Sequence, residues 1–195
     1  MIITNITQIG DPQILLYDGK YYCYATGDCA CAPHIGSGFN VWVSEDLEHW
    51  SEPIPCFKGT DFWGKSHFWA PEVVYHGGKF VMHYTAKSRE LDSLRLGVAV
   101  SDSPLGPFVD VHNAPMFDLG YATIDGSVLI CDEGNFFYYS RDCCENHVDG
   151  VRISDLYCVR LNEDLTLPVG EHIHITRPPC ERERDCFPQA FPTVP

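Results

Sequence analysis

Two aspartates, Asp11 and Asp125, stand at the same place in two copies of one sequence pattern. Each precedes a short apolar run typical of a buried β-strand, which is followed by a tight turn and an aromatic strand. Carboxylates that face one cavity can perform acid–base chemistry, because an ionised carboxylate removes a proton from water while its charge raises the pKa of a neighbouring acid. The pattern predicts a repeated fold with both carboxylates at one site.

The elements that would position these aspartates recur about every 57 residues. Turn glycines Gly19, Gly78 and Gly134 each open an aromatic strand, and the strands that end near Ser44 and Ser101 repeat with a similar period. Glycine accepts positive φ, and aromatic residues favour a half-buried pleated surface, so each unit indicates a hairpin. A unit of three strands with room for a fourth is typical of a β-propeller blade.

The sequence therefore predicts an all-β chain with about three propeller blades over residues 1–176. Inner strands line the channel of a propeller, so Asp11, Ala70 and Asp125, which align at their starts, should converge at one mouth. Propellers close with typically 4 to 8 blades, so three blades form an incomplete propeller. The proline-rich tail, residues 177–195, does not have the pattern of a fourth blade.

Composition narrows the expected partners and location. The formal net charge is −14 and the chain has no basic run, which disfavours nucleic acid and favours a neutral substrate. No apolar run reaches the ~20 residues that a membrane helix needs. The N-terminus lacks the pattern of a signal peptide, so we expect a cytoplasmic protein without membrane contact.

Most of the ten cysteines are expected to be reduced thiols. Cys29, Cys31 and His34 form the tightest group of potential zinc ligands, but their spacing matches no standard pattern and a second ligand pair is missing. The vicinal pair Cys143–Cys144 is a weaker candidate still. We therefore expect neither a metal nor a cofactor.

The ordered combination of motifs resembles the catalytic domain of glycoside hydrolase family 43. The resemblance covers roughly the first 175 residues and is more specific than any single motif. It implies a five-bladed propeller that cleaves arabinose- and xylose-containing polysaccharides and oligosaccharides. The matching stretches are Asp11-Pro12, the hairpin at residues 17–22, residues 41–50, Phe68-Trp69-Ala70-Pro71-Glu72-Val73 and Ile124-Asp125-Gly126-Ser127-Val128.

The same resemblance implies roles for individual carboxylates. Asp11 would be the general base, and Asp125 would tune the pKa of the acid and orient the sugar. The family's general acid is a glutamate in a Glu-Gly-Pro setting, which this sequence lacks, so Glu181 and Glu183 are candidates by position alone. In an inverting glycosidase the base and the acid stand ~6.5–9.5 Å apart to admit a water molecule.

Three residues are candidates for sugar contact. Trp69 directly precedes the second inner strand, where its ring could stack on a pentose or, alternatively, pack between blades. His34 and Phe39 lie in the connection after the first aromatic strand and could line the rim of the channel.

Two functions fit the sequence. The first is an inverting α-L-arabinofuranosidase or β-xylosidase that acts on pentose-containing oligosaccharides. The second is a truncated, catalytically impaired family member that at most binds sugar and self-associates through exposed blade edges. A protein-interaction propeller is disfavoured because the repeats lack WD and kelch signatures. The sequence chooses neither between arabinose and xylose nor between exo and endo action.

Overall fold

The structure, a computed structural model, describes residues 6, 9–27, 38–57 and 62–177. β-Strands dominate this part of the chain, and its one helical element is a 3-10 turn, Cys143–Glu145. The all-β prediction is confirmed. Within the same residues, no helix has the length and apolar character required to span a membrane.

Twelve of the fourteen strands in the described residues form three four-stranded antiparallel sheets, which we call blades 1, 2 and 3. Each blade follows the previous one along the chain. Blade 1 comprises β1 (Gln13–Tyr17), β2 (Lys20–Tyr24), β3 (Asn40–Ser44) and β4 (Ile54–Pro55). Blade 2 comprises β5 (Gly64–His76), β6 (Lys79–Ser88), β7 (Leu94–Ser101) and β8 (Val109–Asp110).

Blade 3 begins with β9 (Thr123–Cys131) and β10 (Gly134–Arg141). A small hairpin of β11 (His147–Val148) and β12 (Val151–Arg152) follows, and β13 (Asp155–Arg160) and β14 (Ile173–Thr176) complete the sheet. The predicted division into residues 1–176 and a tail stays a prediction, because residues 178–195 lie outside the described part of the chain.

The first hairpins of blades 1 and 2 have the turns that their glycines predict. Both turn residues have positive φ, 47° and 71° at Asp18-Gly19 and 56° and 81° at Gly77-Gly78, which matches the twist of the flanking strands. In blade 3 the two turn residues are Asp132 and Glu133, and Gly134 is instead the first residue of β10. Asp11, Ala70 and Asp125 therefore occupy the same position when residues are counted back from the last residue of β1, β5 and β9.

The blades pack face to face through two apolar clusters. In each strand alternate side chains point to opposite faces of the sheet, so a blade can pack one face against the preceding blade and the other against the following blade. The cluster between blades 1 and 2 includes the buried residues Tyr24, Phe39, Phe68, Phe80 and Tyr84, and that between blades 2 and 3 includes Leu96, Val98, Phe137, Tyr139 and Val159. Strand β5 contacts β1 on one side and β9 on the other, so the three inner strands stand side by side.

Candidate active site

The first residue of each inner-strand repeat has the same unusual backbone conformation. Asp11, Ala70 and Asp125 have φ of 48°, 40° and 55°, in the left-handed region that non-glycine residues seldom adopt. Alanine has no side-chain group that could favour this bend, so the surrounding fold must impose it. The three positions that align in the sequence are therefore equivalent in three dimensions, and we call them slots 1, 2 and 3.

Threonine hydroxyls from the preceding blade hold slots 2 and 3. The Thr26 hydroxyl, just after β2, accepts a hydrogen bond from the backbone N–H of Ala70 at 3.1 Å. The Thr85 hydroxyl, in β6, accepts one from the N–H of Asp125 at 3.2 Å. Each blade thus fixes the start of the next blade's inner strand.

A second repeated contact lies two residues beyond the slot. The Gln13 side-chain amide donates to the carbonyl of Val73 at 3.2 Å and accepts from its N–H at 3.3 Å. The Glu72 carboxylate likewise accepts from the N–H of Val128 at 2.7 Å and from the Ser127 hydroxyl at 3.1 Å. Burial raises the pKa of Glu72, and these two hydrogen bonds oppose that rise. Together these contacts fix how neighbouring inner strands are aligned along their length, and therefore how slots 1 and 3 lie relative to each other.

The two slot aspartates differ in their surroundings. Asp11 is exposed, and its Oδ2 accepts a hydrogen bond from the Thr26 hydroxyl, which orients the carboxylate. Asp125 as a whole residue is also exposed, but its carboxyl group lies deep enough that burial raises its pKa. The negative charges of Asp11 and then Asp142 raise it further. The two slot carboxyl groups therefore interact electrostatically, as a shared mouth requires.

Trp69 directly precedes slot 2 and is half-buried. Its ring lies 4.8 Å from the ring of His67, centroid to centroid, in a tilted arrangement. The neighbouring Phe68 is buried and packs on Phe39 and Phe62. Of the two aromatic residues before slot 2, Trp69 is thus the one with a ring partly available to a ligand.

The expected rim position of Phe39 is wrong. Its side chain is 1% exposed and packs edge to face on Phe57, Phe68 and Tyr84 in the core between blades 1 and 2. Burial on all sides leaves no surface for a sugar, so Phe39 has a packing role.

Several predicted site residues lie outside the described residues. These are His34, a candidate for sugar contact, and Glu181 and Glu183, the candidates for the general acid. Their assignments stay predictions.

Sequence reasoning missed Thr26 and Thr85, although a signal for them existed. Both follow their turn glycines, Gly19 and Gly78, at the same interval, so a hydroxyl repeats in register with the slots. Neither threonine resembles a catalytic residue by type. The contacts that define their role join residues 44 and 40 positions apart.

The sequence of this chain is similar to those of known glycoside hydrolases. The sequence pattern of the glycosyl hydrolases family 43 matches residues 5–188. A xylosidase/arabinosidase of Bacteroides ovatus is 31% identical over 149 residues, which cover 67% of this chain and 42% of that relative. An arabinoxylan arabinofuranohydrolase of Paenibacillus polymyxa is 25% identical, over 86% of this chain and 31% of its own length.

Solved structures agree with the sequence comparison. A thermostable family-43 glycoside hydrolase superposes with a TM-score of 0.79 at 36% identity, over 91% of this chain and 55% of that one. An endo-arabinase of Bacteroides thetaiotaomicron gives a TM-score of 0.74 at 27% identity, over 88% and 57%. The chain spans about half the length of these relatives. Because the family pattern matches most of the chain and the solved structures share its fold, the chain belongs to the glycosyl hydrolases family 43.

Proposed function

We propose that this chain carries the base-bearing half of an inverting glycosidase site for arabinose- or xylose-containing oligosaccharides. The observation that supports this most is the pair of aspartates in equivalent left-handed bends, whose carboxyl groups interact across one mouth. The names of the relatives, a xylosidase/arabinosidase and an arabinoxylan arabinofuranohydrolase, support pentose-containing glycans. The acidic surface supports a neutral glycan over nucleic acid.

In the proposed reaction Asp11 is the general base. Its ionised carboxylate removes a proton from water as the water attacks the anomeric carbon, on the face opposite the leaving group. The hydrogen bond from Thr26 holds the accepting oxygen atoms in place. Asp125 orients the sugar, and its charge, when ionised, raises the pKa of the acid that protonates the departing oxygen.

The acid is the part of the site that the described residues do not supply. Their three slots contain aspartate, alanine and aspartate. Glu181 and Glu183 stay candidates for the acid. Since general acid catalysis is worth about 10²–10⁴-fold, its absence would affect poor leaving groups most.

This chemistry gives an assay that separates the base from the acid. Dinitrophenyl pentosides have a leaving group that needs almost no protonation, whereas xylobiose and arabinobiose require it. We expect hydrolysis of a dinitrophenyl arabinofuranoside or xyloside, and an Asp11→Asn variant should lose about 10²-fold or more of that activity. The matched control is Asp18→Asn, an aspartate that also has positive φ but lies in a hairpin turn.

Equal activity of the wild type and Asp11→Asn on the dinitrophenyl substrate would refute the base assignment. Product analysis by NMR should show the inverted anomer, and a retained anomer would exclude the mechanism. Activity on oligosaccharides as well would establish that the chain also contains a working acid.

A sugar-binding protein without turnover is the second candidate. It is favoured by the slots of the described residues, which carry no glutamate. Xylobiose or arabinobiose should then bind without being cleaved, as measured by calorimetry. Trp69→Ala should weaken this binding at least tenfold, whereas Trp50→Ala, which alters a buried tryptophan of blade 1, should not. No binding of either disaccharide, together with no hydrolysis, would exclude both candidates.

A further inference from the structure

A cluster of potential metal ligands lies directly after β10, outside the slots. One ligand atom each from Asp142, Cys143 and Cys144, a carboxylate oxygen and two sulfur atoms, lie within 4.8 Å of one another. The ligand atoms of a tetrahedral zinc site are roughly 3–4 Å apart, so small side-chain rotations could bring all three onto one cation. Asp142 and the two thiols therefore have both the chemistry and the spacing of an incomplete coordination shell.

Asp142 is a buried carboxylate without a basic partner among the described residues. The residue is 6% exposed, and the sulfur atoms of Cys143 and Cys144 lie within 4.8 Å of its carboxylate oxygen. The other buried carboxylate in the described residues, Asp155, has Arg177 at 2.6 Å and His174 at 3.5 Å. No such ion pair joins Asp142 to a basic side chain in that part of the chain.

A carboxylate with little exposure and no basic partner is costly to desolvate, and thiols are weak hydrogen-bond donors. A cation bound between the carboxylate and the two sulfur atoms would offset that cost, because opposite charge stabilises a buried anion. The surrounding fold thus favours occupancy by a cation.

The turn that carries the cluster is anchored on Ala122, the residue directly before β9, which contains slot 3. The N–H of Asp142 donates to the carbonyl of Ala122 at 2.9 Å, and the Glu145 carboxylate accepts from the N–H of Ala122 at 2.8 Å. The N–H of Asn146 closes the turn onto the carbonyl of Cys143. A backbone held on both sides keeps ligands in place before the metal arrives, which favours binding.

We propose that Asp142, Cys143 and Cys144 bind a thiophilic divalent cation, such as Zn²⁺ or Cd²⁺, with solvent completing the coordination. Two cysteine sulfurs and one carboxylate oxygen suit a borderline-soft cation rather than Mg²⁺ or Ca²⁺, which prefer all-oxygen sites. From sequence the vicinal cysteines are a weak candidate, because the burial of Asp142 and the absence of a basic partner for it among the described residues are invisible there.

Cadmium is the most direct probe, because thiolate–cadmium bonds give an ultraviolet charge-transfer band. We expect the reduced full-length protein to develop this band and saturate at one equivalent of Cd²⁺. A Cys143→Ser/Cys144→Ser variant should lose the band. Asp142→Asn should keep the band and weaken the affinity at least tenfold, while Mg²⁺ should not compete.

The other cysteine group of the sequence, Cys29 and Cys31, which lies outside the described residues, provides the matched control. A Cys29→Ser/Cys31→Ser variant should keep both the band and the affinity. Should the double Cys143/Cys144 variant not fold, Cys144→Ser alone, at an exposed position, should reduce the band by about half. No band in the wild type, an unchanged band without Cys143 and Cys144, or loss of the band in the Cys29/Cys31 variant would each overturn the proposal.

Discussion

At the scale of single residues, burial determines which titratable groups depart from ordinary behaviour. His83 is fully buried in blade 2, and its Nε2–H donates to the carbonyl of Leu165 in blade 3 at 2.8 Å. Its Nδ1 has no hydrogen-bond partner in the described structure. Burial lowers the pKa of His83 to about 4, because a proton on Nδ1 would add an unpaired charge to the core.

The lowered pKa of His83 predicts a loss of stability in acid. Below about pH 6.5 the unfolded chain binds a proton at this histidine but the folded chain does not, so the free energy of unfolding should fall as pH falls toward 4. His83→Gln should show a shallower fall in denaturant titrations across this range. Above pH 7 the two curves should run parallel, and identical slopes below pH 6 would contradict the assignment.

At the scale of secondary structure, the sequence predicts features that depend on neighbouring residues, such as the hairpin turns. Gly19 and Gly78 identify their hairpins because positive φ is a property of the residue itself. The slots could be aligned because Asp11 and Ala70 each stand eight residues before a turn glycine, Gly19 and Gly78, and Asp125 stands nine before Gly134. The hydroxyl contacts between blades and the burial of Phe39 were not predicted, because both depend on segments far apart in the chain.

The contact between blades 2 and 3 should contribute measurably to stability. Thr85 is fully buried, and without its hydroxyl the N–H of Asp125 would lose its acceptor. Thr85→Val should therefore lower the free energy of unfolding by about 1–3 kcal/mol, as measured by denaturant titration. Thr85→Ser keeps the hydroxyl and should lose clearly less. Equal losses in the two variants would attribute the effect to packing instead.

At the scale of the whole molecule, the outward faces of the end blades are exposed. On β1, Leu15 and Tyr17 pack against blade 2, whereas Ile14 and Leu16 point the other way and are 47% and 60% exposed. On blade 3, Ile173 of β14 is 62% exposed. In a propeller such faces contact further blades, and exposed apolar surface favours association.

We propose that the chain self-associates through these faces. Sedimentation velocity should show dimers or larger species that increase with concentration. Leu16→Glu should shift the distribution toward monomer, because association would bury an unpaired charge. The control, Leu105→Glu, places the same charge on an exposed leucine of blade 2 and should leave association unchanged. A wild type that stays monomeric at all concentrations would refute the proposal.

If two inner strands bring Asp11 and Asp125 to one mouth, the charge of Asp11 must act on Asp125, and NMR titration of the Asp125 carboxyl carbon tests this without requiring turnover. The wild-type pKa should lie above the ordinary range for aspartate, because of burial and the charge of Asp11. In Asp11→Asn that charge is gone, so the pKa of Asp125 should fall while burial keeps part of the elevation. Asp18→Asn should leave it unchanged. An Asp125 pKa that is the same in the wild type and in Asp11→Asn would contradict the shared site.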